Sequence, residues 1–197
     1  MNMSNSNMGT ARDVLEFWFS EQSRPLWFEK NLDFDAEIRA RFAATLDRAA
    51  AGSLDNWRND ADSCLALVIV LDQFSRNLYR GSPRAFAADP KGRAVADLAI
   101  GRSYDQRLPL DRRKFFYLPF EHSEELADQR RSMQLFQRWA DAHDGAARAE
   151  AQRQMMFVQR HAEIIERFGR FPHRNECLGR ESTLREIEFL REPHSSF

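Results

Sequence analysis

Two stretches of this sequence crowd together side chains that can do chemistry. Residues 167–175 read Arg-Phe-Gly-Arg-Phe-Pro-His-Arg-Asn, and residues 71–84 read Leu-Asp-Gln-Phe-Ser-Arg-Asn-Leu-Tyr-Arg-Gly-Ser-Pro-Arg. Each sets fixed positive charge and hydrogen-bond donors beside aromatic surface, the combination that holds a carboxylate, a phosphate or a carbonyl group. Asp72, Gln73, Arg76, Asn77 and Arg80 are the candidates in one stretch; Arg170, His173, Arg174 and Asn175 are those in the other. They mark where something binds without naming a reaction.

Helical phase adds further candidates. Phe157, His161, Ile164, Ile165 and Phe168 are spaced so that one helix face carries them all, which points His161 at the core. His122, Leu126, Gln129, Met133 and Phe136 share another face, with His122 and Gln129 its polar members and Glu121 beside them. Leu65, Ile69, Asp72 and Arg76 align in the same way, so a buried helix ends in polar groups. Each feature has a plain structural reading: a core histidine bonded to a carbonyl, an arginine at a helix end, or a network of surface ion pairs. Convergence of these groups on one polar cavity is the functional reading, since burying so many is costly unless each finds a partner.

The chemistry open to them is limited. His122 or His161 could serve as general acid or base, and an imidazole flanked by Asp72 or Glu121 is expected to titrate near neutrality. No His-Glu-x-x-His or paired Glu-x-x-His motif is present, so no metal site is assigned; Glu124, Glu125 and Asp128 read as a solvated face. Gly-x-Ser-x-Gly, Walker A and Gly-x-Gly-x-x-Gly patterns are absent, and Ser123 reads as a helix N-cap. No cofactor is indicated by any motif.

The elements that must position these residues are helical throughout. Thr10 and Asp13 form a capping box, and Asp33 or Asp35 opens a helix carrying Phe34, Ile38, Phe42 and Leu46 that Gly52 closes. Asp60 or Asp62 begins the apolar run 64–71, which reads as the central buried helix. Asp89-Pro90 starts a helix that Gly101 ends, and Asp111 starts a short one interrupted near Pro119. A long helical segment over 120–142 follows, then a helix over 146–168, then a last one with Thr183 and Glu186 as its capping box. These readings predict a single all-α domain, a bundle or superhelix of about eight helices, with residues 1–9 and 194–197 mobile.

Composition frames this reading. The chain has 197 residues, 43% hydrophobic and 30% charged, and a formal net charge of -1, so no bulk field draws it to nucleic acid or anionic lipid. Of its 29 basic residues only Lys30, Lys91 and Lys114 are lysine, a bias that genomic base composition would also produce. Cys64 and Cys177 form no Cys-x-x-Cys pair, no signal-peptide pattern opens the chain, and no apolar run reaches membrane length. The expectation is a reduced, cytoplasmic protein without nucleic-acid or membrane partners; its oligomeric state is not readable from sequence.

Longer motifs carry a resemblance. Leu-Glu-Phe-Trp-Phe at 15–19, Trp-Phe-Glu-Lys at 27–30, the run 71–86 ending Arg-Ala-Phe, Phe-Tyr-Leu-Pro-Phe-Glu-His-Ser-Glu-Glu-Leu at 116–126, the run 167–175, and Leu-Gly-Arg-Glu-Ser-Thr at 178–183 are all present. Together, over about residues 11–191, the sequence resembles the domain-of-unknown-function 924 family. The resemblance implies an all-α fold similar to tetratricopeptide superhelices and a bacterial-type cytoplasmic protein, and it implies no activity. The family pattern usually reads Asp-Gln-Phe-Pro-Arg-Asn, whereas this chain has Ser75 at the proline position, which frees a backbone donor.

The functional expectation is a pocket for an anionic small molecule or a peptide carboxylate. Arg76, Arg170 and Arg174 would hold the anion, Asn77, Asn175 and His173 would orient it, and Phe74 and Phe171 would wall the site. The alternatives are an enzyme using His122 or His161 in that pocket, and a scaffold that binds partner helices with its polar motifs purely structural.

Overall fold

The structure, a computed structural model, describes residues 9–193 together with 195 and 196. The expectation of mobile ends therefore falls largely outside the described residues; within them, Ser195 is buried and donates to the Leu190 carbonyl at 3.1 Å. Every regular element among the described residues is helical. The main ones are α1 (Ala11–Trp18), α2 (Leu32–Ala50), α3 (Ala61–Ile69), α4 (Ser75–Leu78), α5 (Asp89–Gly101), α6 (Leu110–Glu121), α7 (Leu126–Asp141), α8 (Gly145–Phe168) and α9 (Leu184–Phe189). Among the described residues no helix is long and apolar enough to cross a membrane. The chain groups into two compact units: one holds the residues up to Arg80 with Arg84–Pro119, the other Gly81–Pro83 and Phe120 onward.

In the first unit, Thr10 closes a capping box with Asp13, and α1 buries Val14, Leu15, Phe17 and Trp18. Those rings join Phe34 and Phe42 of α2, Phe74 and Phe115 in one aromatic cluster; Phe42 and Phe74 stack at 5.0 Å, and Trp18 meets Phe115 edge-on at 5.8 Å. Such contacts add to the apolar burial that dominates this core. α3 is the central helix, with Cys64–Ile69 wholly buried and Asp60 its N-cap. It continues without a loop through a π turn, Val70–Phe74, into α4. Ser75, the residue that replaces the family's proline, bonds through its hydroxyl to the Leu71 and Asp72 carbonyls at 2.8 and 2.9 Å. Its position is helical, not part of a loop.

α2 starts differently from expectation. Asn31 is the N-cap, accepting from the Phe34 N–H at 2.9 Å, while Asp35 turns inward and is buried. α6 runs through Pro119 without interruption, because the proline falls in its last turn, where only one carbonyl, that of Phe115, loses its amide partner.

In the second unit α7 packs along α8. The expected continuous helix over 120–142 is broken at residues 122–125, and Glu125, not Ser123, is the N-cap of α7. His122 therefore lies in the connection and off the Gln129–Phe136 face. Phe157 was expected on the inner face of α8 and is 54% exposed. The buried positions Ala151, Met155, Val158, His161, Ala162 and Ile165 set the phase of that helix, and Phe157 falls outside their stripe. Ile164, Ile165, Phe171 and Phe189 form a further apolar cluster.

Candidate functional site

The candidate residues sort into one network in each unit. In the first, Arg76 presents both amino groups to Asp89, each at 3.0 Å, and also reaches the Asp72 carbonyl at 2.8 Å and its carboxylate at 3.2 Å. Burial would pull the Arg76 guanidinium down, yet the Asp72 and Asp89 charges hold it above its ordinary value, so it stays charged. Gln73 donates to Asp72 at 2.6 Å. Asp35 accepts from Asn77 at 2.7 Å and from both prongs of Arg80, and Arg39 donates to the Leu78 carbonyl. Phe74 belongs to the aromatic core and walls no site.

The second network grows from the end of α6. A helix leaves its last carbonyls without amide partners, and here side chains from elsewhere take that of Glu121 and the next two in the connection. Gln129, fully buried on α7, donates to the Glu121 and Ser123 carbonyls, each at 2.6 Å, and Arg174 donates to the His122 carbonyl at 3.0 Å. Ser123 bonds Asp128 at 2.7 Å and accepts the Glu125 N–H at 3.2 Å, which fixes the turn into α7.

Around that turn gather the remaining candidates. His161, 5% exposed, has Nδ1 2.8 Å from the Phe157 carbonyl and 3.2 Å from Glu121 Oε1. The bond to the carbonyl requires the proton on Nδ1 and makes Nε2 the acceptor nitrogen. Burial pushes the His161 imidazole down to about 3; the Phe157 carbonyl favours the proton, and the nearby His122, Arg174 and His173 disfavour it. The expected titration near neutrality does not occur at His161. Phe171 lies edge-on to the His161 ring at 5.5 Å and packs against His173 at 5.7 Å, and the Arg174 guanidinium covers its face at 4.4 Å. The His122 ring is 6.4 Å from that of His161. His122 and His173 are half-buried and Arg174 is buried.

Two ion pairs hold the segment bearing these groups. Arg170 binds Glu186 through two bonds of 2.6 and 2.8 Å, which, with the Thr183 cap, draws the Glu186 carboxyl down to about 2 against the effect of its burial. Arg180 binds Glu124 at 2.7 and 2.9 Å and donates to Asn175 Oδ1 at 3.0 Å, while Asn175 donates to Ser182 at 3.1 Å. Glu124 also accepts the Phe171 N–H at 2.8 Å. Burial would raise the Glu124 carboxyl, but Arg180 and the Phe171 N–H hold it below its usual value. Glu124 is thus a structural anchor and no part of a solvated face. Among the described residues no group of three or more His, Cys, Asp or Glu side chains is placed to hold a metal ion.

Over residues 14–194 the chain matches the family model described as a bacterial protein of unknown function, DUF924. The chain belongs to the DUF924 family. It is similar to the solved structure of a protein of unknown function from Agrobacterium tumefaciens, with 41% identity over 92% of this chain and 96% of that one and a TM-score of 0.80. No curated protein matches it. Both networks of this DUF924 chain fall inside the matched residues. Sequence reasoning found their basic and amide members, read Asp35 and Asp89 as helix starts and Glu124 as solvated, and missed the pairings of these three and of Arg180, which leave no local signal. Glu186 was visible as a cap, yet not as the partner of Arg170.

Proposed function

We propose that the second unit binds an anionic small molecule or a peptide carboxylate where the half-buried His122 and His173 lie beside the buried Arg174. The observation that carries this reading is the gathering of two imidazoles, His161 and His173, and the Arg174 guanidinium around the single ring of Phe171, with the His122 ring 6.4 Å from that of His161. His122, Arg174 and His173 each disfavour a proton on His161, as positively charged neighbours do. The forks of Arg76, Arg80 and Arg170 each face a carboxylate of this chain. The free thiols Cys64 and Cys177 fit a reduced, cytoplasmic setting.

The test is a thermal-shift titration with inorganic phosphate, citrate and short peptides bearing a free C-terminus. At 100 times its dissociation constant a ligand adds about 2.7 kcal/mol of stability. His173→Gln and Arg174→Lys should abolish the shift, and His173→Gln should leave the unliganded Tm nearly unchanged. No shift with any anion, or an equal shift in both variants, refutes the reading.

One contact favours a second reading, an enzyme in the same place. Glu121 lies against Nδ1 of His161 as an orienting carboxylate does in a general-base pair. A substrate panel in which turnover is lost in His161→Gln while ligand binding persists would establish it; absence of any turnover would remove it.

A further inference from the structure

The segment after α8 has matching ends. Gly169 and Gly179 both adopt left-handed backbone, with φ of +68° and +65°, a conformation natural to glycine. Each is followed at once by an arginine whose fork is filled: Arg170 by Glu186, Arg180 by Glu124. Glu124 takes the Phe171 N–H while Arg180 takes the Phe171 carbonyl at 3.2 Å, so this one ion pair grips the backbone of Phe171 from both sides. Within the segment, hydrogen bonds run from Arg174 to Phe171, from Leu178 to Arg174 and from Arg180 to Asn175, so it is internally tied. Its fully buried ring, Phe171, lies edge-on against His161.

We infer that residues 170–180 are a strap that opens as one piece about Gly169 and Gly179, with Glu124–Arg180 as its latch and the Glu121–His161 pair beneath it. The closed state dominates, because Phe171 packs with Ile164, Ile165 and Phe189. Glu124 and Arg180 act as positioning residues, and because the strap carries His173 and Arg174, its opening parts them from His122 and takes the anion site apart, a role that rests on the reading above.

Native-state hydrogen exchange on the full chain, followed across urea concentrations, tests this. The amides of Phe171, bonded to Glu124, and of Arg180, bonded to Asn175 across Gly179, should exchange together by a local opening less sensitive to urea than global unfolding, and faster than the amides in the middle of α8. Glu124→Gln should speed the strap amides about tenfold or more and leave α8 unchanged, because it removes a charge-assisted bond without changing shape. Arg180→Gln should do the same, and the double variant should add nothing further. Strap amides that exchange only with global unfolding, or variants that accelerate α8 equally, overturn the strap. Inorganic phosphate separates the two readings: local opening that phosphate does not slow sinks the anion site while the strap stands.

Discussion

The carboxylate of Glu121, the last residue of α6, lies 3.2 Å from Nδ1 of His161 on α8, and both side chains are almost fully buried. α6 and α8 are separated in sequence by the whole of α7, so this contact exists only in the folded chain. It places an imidazole where water cannot reach a charge.

That burial has a pH consequence. His161 is held down at about 3 when folded, and titrates near ~6.5 when unfolded. Between those values the unfolded chain binds the extra proton. The contribution of His161 is therefore complete above about pH 6.5 and is lost as pH falls towards 3, by about 2 kcal/mol at about pH 5. Urea unfolding near neutrality and at pH 5 should show His161→Gln losing less stability on acidification than the wild type. Equal losses would contradict the assignment.

Gln129 satisfies the Glu121 and Ser123 carbonyls from a fully buried position. Gln129→Leu keeps the bulk and strands both acceptors, which should cost about 2 kcal/mol. Gln129→Glu should cost more when ionised, since it turns an acceptor towards acceptors. Chemical denaturation of both variants checks the order; a Gln129→Glu protein as stable as Gln129→Leu at neutral pH would show the amide geometry to be wrong.

Asp35 accepts from both Asn77 and Arg80. Asp35→Asn removes the charge while keeping the shape. Because the Arg80 side chain is partly exposed, the loss should be about 2 kcal/mol, below the range for a fully buried pair. Asn77→Ala measured alone and with Asp35→Asn should be non-additive; simple additivity would mean that the two do not share the contact.

Cys64 is wholly enclosed in α3, and burial pushes its thiol up to about 12. Only the thiolate reacts readily. Titration of the native protein with a disulfide reagent should therefore label Cys177, which is half-buried, and leave Cys64 untouched until denaturant is added. Fast labelling of both thiols would mean that α3 opens in the native state.

Helices and their signals were legible before any fold. The capping boxes at Thr10 and Thr183 stand as read, and of Asp60 and Asp62 it is Asp60 that caps α3, because each acts within three residues of itself. Asp89-Pro90 does open α5, though with Ala88 as N-cap and the proline at the second helical position. The apolar period also placed His161 inside. It failed where a local rule was overruled from a distance. The break at 122–125 depends on Gln129 and Arg174 capping carbonyls that no short window connects to them. Phe157 lies on the outer face because the buried stripe of α8 runs through Met155, Val158, Ala162 and Ile165 and skips position 157.

The sequence by itself determined an all-helical chain, the family it belongs to and the identity of its basic and amide-bearing motifs, since propensity, caps and motif text are local properties. Which carboxylate meets which arginine was decided only by tertiary structure. With 29 basic and 30 acidic residues, spacing cannot select Asp35 for Arg80, Asp89 for Arg76, Glu124 for Arg180 or Glu186 for Arg170. Those choices follow from packing, because an ion pair forms where folding brings two charges within a few ångströms and removes the water between them.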